Sequence, residues 1–144
     1  MKNLIYIFLA LFAFACNGPK IGYLSADNAE YIPDSLVVPS FSSLDYEDEY
    51  GADYLRVKND APWVTLKIEK VLGTAPLLYE LMDVKASEGG DAEAFKKVLK
   101  VRGAGVMEIP LKHHLPAARY TVSIRISNED YSAVAEDAYT FIVE

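Results

Sequence analysis
The chain has 144 residues, 51% of them hydrophobic, and a formal net charge of −7 at pH 7. That length suits one self-sufficient core, and the acidic balance argues against nucleic acid, which is held by Lys and Arg, and against polybasic attachment to anionic lipid. Cys16 is the only cysteine, which excludes an internal disulfide and leaves the fold to its apolar core.

Met1-Lys2-Asn3 opens the chain with one basic residue, and twelve uncharged residues follow from Leu4 to Ala15. A helix needs about 20 apolar residues to cross a hydrocarbon core of ~30 Å, so this run reads as a secretory signal. Ala13-Phe14-Ala15-Cys16 resembles the bacterial lipobox. The resemblance implies a signal peptide over 1–15, a lipid on the Cys16 thiol and cleavage that leaves Cys16 first. The 128 residues beyond Cys16 carry 13 basic and 21 acidic side chains, a net charge of −8. Residues 16–30 are expected to form the lipidated start and a tether, and 31–144 a single domain.

Leu36-Val37-Val38-Pro39 reads as an edge strand bracketed by Pro33 and Pro39. Residues 41–53 form an acidic loop with one or two short strands. Tyr54 to Lys58 alternates, and Asn59-Asp60-Ala61-Pro62 turns the chain. From Trp63 to Glu69 the alternation puts Val64, Leu66 and Ile68 on a buried face and Thr65, Lys67 and Glu69 on a polar one. After Gly73-Thr74-Ala75-Pro76, Leu77 to Val84 is apolar on both faces, the pattern of a central strand covered on both sides. Asp91 caps one short turn of helix that places Phe95, Val98 and Leu99 together; a strand over Phe95 to Val101 is the alternative. Tyr120, Val122, Ile124 and Ile126 share one face of a late strand, and Thr121, Ser123, Arg125 and Ser127 share the other. Tyr139 to Val143 closes the domain. About seven short strands with regular turns predict an all-β sandwich.

Ala118-Arg119-Tyr120, followed by alternating Val122, Ile124 and Ile126, resembles the corner of immunoglobulin-like sandwiches at which a Tyr hydroxyl bonds back to upstream backbone. The wider pattern, Gly73-Thr74-Ala75-Pro76-Leu77-Leu78-Tyr79, then Ala118 to Ile124, then Tyr139 to Val143, is similar to cadherin-like or PKD-like modules. Such modules recur in envelope lipoproteins of Bacteroidota, often beside polysaccharide-uptake machinery. The resemblance implies an immunoglobulin-like antiparallel β-sandwich held at the outer membrane by lipid. In that group an acidic run after the lipidated cysteine marks surface export. Asn17-Gly18-Pro19-Lys20 has no acid, so the face of the membrane stays open.

Leu44-Asp45-Tyr46-Glu47 and Asn59-Asp60-Ala61-Pro62 resemble fragments of cadherin calcium motifs, which would nominate Asp45, Glu47 and Asp60 as oxygen ligands. The second fragment sits mid-domain here, and a solvated acidic loop is the preferred reading. His113 and His114 are adjacent, point apart on extended backbone and suit a loop better than a shared metal. No nucleophile elbow, zinc-protease helix motif or phosphate loop occurs. Neither catalysis nor a cofactor is expected.

The aromatic side chains carry the remaining signal. Trp63 shares parity with Thr65 and Lys67, and Tyr54 with Arg56 and Lys58, so alternation turns both rings outward as a sugar-stacking or partner-docking platform. Trp63 could equally fold over the open end of the core beside Pro62, and the high average burial of Trp favours that placement. The expected role is a non-catalytic, lipid-anchored accessory module that binds carbohydrate or serves a polysaccharide-uptake system. The alternative is a structural or protein-interaction lipoprotein of the periplasm without a glycan role.

Overall fold
The computed structural model describes residues 18–144; the expected signal peptide and the lipidation residue Cys16 lie outside the described residues. Along the described chain come β1 (Leu24–Ser25), β2 (Ser35–Val38), α1 (Tyr54–Lys58), β3 (Trp63–Val64), β4 (Leu72–Gly73) and β5 (Leu78–Ala86). There follow α2 (Ala92–Val98), β6 (Lys100–Val101), β7 (Met107–Ile109), β8 (Ala118–Ser127) and β9 (Ser132–Val143). The all-β expectation holds in its broad form, with nine strands among the described residues.

The largest sheet has the order β2-β9-β8-β5. β2 runs parallel to β9, from Ser35 opposite Thr140 to Val38 opposite Val143, while β8 is antiparallel to both β9 and β5. A three-stranded antiparallel sheet, β3-β7-β6, and a two-stranded ribbon, β1-β4, complete the framework. β2 is an edge strand, as Pro33 and Pro39 imply.

One apolar cluster joins these elements. Tyr120, Val122, Ile124 and Ile126 on β8 and Phe141 on β9 are all fully buried, with Met107 and Ile109 from β7. The alternation of β8 therefore reads correctly: period-2 spacing sends every second side chain to one face. α2 forms as its cap predicts. Asp91 Oδ1 accepts from the Ala94 amide at 2.9 Å, and the helix delivers Phe95 onto the Tyr120 ring, stacked with centroids 4.4 Å apart and nearly parallel planes.

Several expectations need correction. Tyr54–Lys58 is a turn of α-helix, not a strand. Its Val57 amide bonds Asp53 O at 2.9 Å and its end is closed by Asn59 Nδ2 on Leu55 O at 2.8 Å. Five alternating residues are too few to separate the two periods. The parity of 63–66 is inverted: Trp63 and Thr65 are 9% and 5% exposed, Val64 and Leu66 43% and 63%. The cause is pairing, since Trp63 lies opposite the fully buried Ile109 and directly opposed residues share a face. Ile68 is buried as expected, through a separate contact of its amide with Ala104 O at 3.0 Å.

β5 is the outer strand of its sheet rather than a central one. Leu78 and Met82 are exposed, and the strand carries an irregularity between Leu81 and Asp83. Ser123, expected outside, is buried. The β8–β9 register shifts between Val122 and Ile124, which pair with Tyr139 and Ala135, so the extra residues lie in β9; there the Asp137 amide donates to Ser123 Oγ at 3.0 Å and covers it. Leu24 and Ser25, inside the stretch expected as tether, pair with Gly73 and Leu72.

Candidate functional site
Trp63 opens β3 at the edge of the three-stranded sheet. α1 lies just before it in the chain and places Arg56 against the indole, its guanidinium carbon 4.1 Å from the ring centroid. Arg56 Nη1 also donates to Pro62 O at 3.0 Å, which fixes the guanidinium where it covers the ring. The buried Trp63 Nε1 has no hydrogen-bond partner among the described residues. Tyr54, half-buried on the same helix, has Lys58 Nζ 5.3 Å from its ring centroid, an i,i+4 neighbour on a helix face. A cation over an aromatic face is a favourable quadrupole contact. Trp63 is buried and each ring has a cation of α1 on one face, so the exposed aromatic platform expected from alternation does not form. What 63–66 sends outward instead is apolar: Val64 and Leu66.

The segment after β7 borders two adjoining clefts. One is lined by Asp60, Pro62, Lys100 and Glu108, the other by Asp91, Lys97, Val98 and His113, and Pro110 and Lys112 border both. Arg102 Nη2 pairs with Glu108 at 3.0 Å. His113 is 8% exposed and sets Nε2 3.2 Å from Pro39 O, while its buried Nδ1 has no partner among the described residues. His114 is exposed, so the histidine pair divides as adjacent residues on extended backbone do. Lys100, Glu108 and Lys112 have no local signal in the sequence, because only the sheet pairing brings them beside Asp60.

Several acids are engaged with backbone amides or with lysines. Asp53 Oδ2 accepts from the Asp45 amide at 3.1 Å and Asp45 O from the Asp53 amide at 2.8 Å, which closes the acidic loop on itself. Asp45, Glu47 and Asp60 are not assembled: among the described residues no group of three or more His, Cys, Asp or Glu could hold a metal ion. Lys96 bridges Glu93 at 3.0 Å and Asp83 at 3.1 Å. Its hydrogen bond holds the Asp83 carboxyl below the usual carboxylate range. Lys85 pairs with Asp137 at 2.8 Å, which raises the ammonium.

Two phenols are buried side by side. Tyr31 Oη donates to Gly105 O at 2.5 Å, and its ring meets Tyr139 edge-on at 5.1 Å. Burial is the main cause pushing both hydroxyls up, Tyr139 to about 12. Among the described residues no helix is long and apolar enough to cross a membrane. Comparison with protein-family models, with curated proteins and with solved structures finds no match for this chain.

Proposed function
We propose that the protein is a non-catalytic, lipid-anchored accessory module of the cell envelope, and that its partner is another envelope protein rather than a sugar chain. The observation that carries this reading is the inverted parity of 63–66. Trp63 turns inward under Arg56, while Val64 and Leu66, 43% and 63% exposed, turn outward. Sugar stacking uses an accessible aromatic face, whereas an aliphatic patch with polar surroundings suits a protein surface. Thr65 lies between the two with its hydroxyl spent inside, accepting from the Met107 amide at 3.0 Å and donating to Leu66 O at 2.8 Å. The strand is thereby locked with its aliphatic side to solvent.

The immunoglobulin-like form of the sandwich belongs to the same proposal. The orders β5-β8-β9 and β3-β7-β6 correspond to the C-F-G and B-E-D strands of that fold when lettered along the chain. Tyr120 Oη donates to Pro116 O at 2.9 Å, four residues upstream, in keeping with a tyrosine corner. A sandwich of this kind offers a rigid face for docking.

The test is site-specific photocrosslinking in intact cells, with the crosslinker at 64 or 66 and at the exposed Glu88 as a reference. The expected result is a discrete protein adduct from 64 and 66 and none from 88. Retention on polysaccharide gels that survives Val64→Ser and Leu66→Ser, with no adduct, would return the reading to carbohydrate.

A further inference from the structure
We propose that the end of the domain bearing Ile21, Tyr23 and Leu72 docks on the bilayer surface that holds the Cys16 lipid. This rests on the lipidation reading above and goes beyond it, since it assigns the protein surface itself a membrane contact.

The chain is fastened to the domain almost as soon as it enters it. The Ile21 amide donates to Asp130 Oδ2 at 2.7 Å, and Lys20 Nζ sits 5.4 Å from the Tyr131 ring centroid. The Tyr23 amide donates to Thr74 Oγ1 at 3.1 Å. Asn128 Nδ2 reaches Tyr23 O at 2.9 Å and Thr74 O at 3.3 Å, stitching the β1-β4 ribbon to the β8–β9 turn. Five Cα steps separate Cys16 from Ile21, a span of at most roughly 17 Å. β9 has 12 residues and runs about 40 Å. The tether is therefore short against the domain, and the Ile21 end is the part a lipid on Cys16 must hold nearest the membrane.

That end presents apolar surface. Ile21, Tyr23 and Leu72 are 71%, 58% and 61% exposed. In the ribbon Leu24 faces Gly73 and packs on the core, so Tyr23 and Leu72 take the outer face. The Thr74 amide bonds Tyr23 O at 3.0 Å, opposite it, which makes Tyr23 and Leu72 diagonal neighbours about 7–8 Å apart. Leu78, also exposed, pairs with Ser127, next to the Asn128 that ties the ribbon down. Tyr is suited to the membrane–water interface, where its ring is apolar and its hydroxyl wet. Lys20 and Glu129 give this end charges of both signs. Docking accordingly draws on apolar contact and not on anionic headgroups, and neutral phosphatidylcholine is the bilayer to use.

Because Cys16 is the only cysteine, a lipidated protein has no free thiol, and an introduced one can be labelled alone. Full-length protein carrying Tyr23→Cys, Leu72→Cys or, as a distant reference, Tyr50→Cys is purified after processing. Each variant is labelled with an environment-sensitive fluorophore and reconstituted in phosphatidylcholine vesicles with nitroxide-bearing lipid. The expected result is a blue shift and nitroxide quenching at 23 and 72, with neither at 50. Vesicle-bound protein with no quenching at 23 or 72 overturns the docking and leaves the anchor standing. A blue shift that grows with protein density and lacks quenching assigns the face to a second copy and also overturns it. Protein that fails to bind vesicles and retains a reactive Cys16 thiol removes the anchor, and the docking with it.

Discussion
Arg56 lies across the indole of Trp63 at 4.1 Å and is itself tied to Pro62 O at 3.0 Å. A short helix thus closes the edge of the three-stranded sheet by capping its one tryptophan. Truncating a buried large aromatic loses both its transfer free energy and the surrounding packing, so Trp63→Ala should cost about 3–5 kcal/mol. Arg56→Ala should cost about 1 kcal/mol through the lost cation–π contact. Urea unfolding measures both. A Trp63→Ala variant as stable as wild type would show that the ring is dispensable to the core.

The inverted strand makes a sharper comparison. Thr65→Val keeps the shape but leaves the buried Met107 amide without its acceptor, at about 1–3 kcal/mol. Leu66→Ser on the outer face should stay near ±0.5 kcal/mol. Denaturation midpoints of the two variants test the parity directly. The reverse ranking would restore the alternation read from the residues.

That inversion also shows why some elements were legible and others were not. β8 has five apolar side chains at one parity and polar or charged ones at the other, and a ten-residue strand gives the period room to show. Trp63 and Thr65 share a parity with Lys67 and Glu69 that is mostly polar, and their burial depends on Ile109 and Met107, more than forty residues away. No local pattern holds that information. Tyr54–Lys58 misleads for a different reason, its brevity, and Ser123 because a bulge in the neighbouring β9 brings the Asp137 amide onto it. Asp91 was readable because a cap is a local interaction, three residues in reach. The high average burial of Trp pointed to the placement that Trp63 takes and its strand parity did not, while Lys100, Glu108 and Lys112 were invisible until the sheet assembled them.

Tyr120 joins three parts of the fold. Its hydroxyl donates to Pro116 O at 2.9 Å and accepts from the Asp91 amide at 3.3 Å, just where α2 begins. Tyr120→Phe keeps the ring stacked on Phe95 and removes only these bonds, so a loss of about 1 kcal/mol is expected. Ile124→Ala in the same row should lose about 2–5 kcal/mol. Thermal and urea unfolding of the pair checks the ranking. A loss for Tyr120→Phe as large as that for Ile124→Ala would mean the corner holds more than a hydrogen bond.

The buried phenols set an alkaline limit. Burial first, and then the Asp34 carboxylate, push Tyr139 up to about 12; burial, then Tyr139 and Tyr79, raise Tyr31. An unfolded tyrosine titrates near pH 10. With the folded value above the unfolded one, the native state holds these protons more tightly. The associated stability is complete below about pH 10 and falls as pH rises through about 12. Melting temperature followed against pH should turn down in that window, and less steeply for Tyr139→Phe. Equal slopes for wild type and variant would show that Tyr139 does not supply the linkage.

The proposed attachment to the membrane rests on Cys16. A buried acyl chain contributes about 0.8 kcal/mol per CH2, and stable anchoring takes more than one chain or a second signal. The exposed Ile21, Tyr23 and Leu72 are candidates for that supporting contact, too few to replace the lipid. Wild-type protein should therefore partition with membranes and incorporate a labelled fatty acid. Cys16→Ser should lose the label and be recovered in a soluble or unprocessed form, while the pair Tyr23→Ser and Leu72→Ser should keep the label and dissociate from vesicles more readily. Fatty-acid incorporation that persists in Cys16→Ser would place the lipid elsewhere on the chain, and the short tether from which the orientation of the domain is argued would no longer exist.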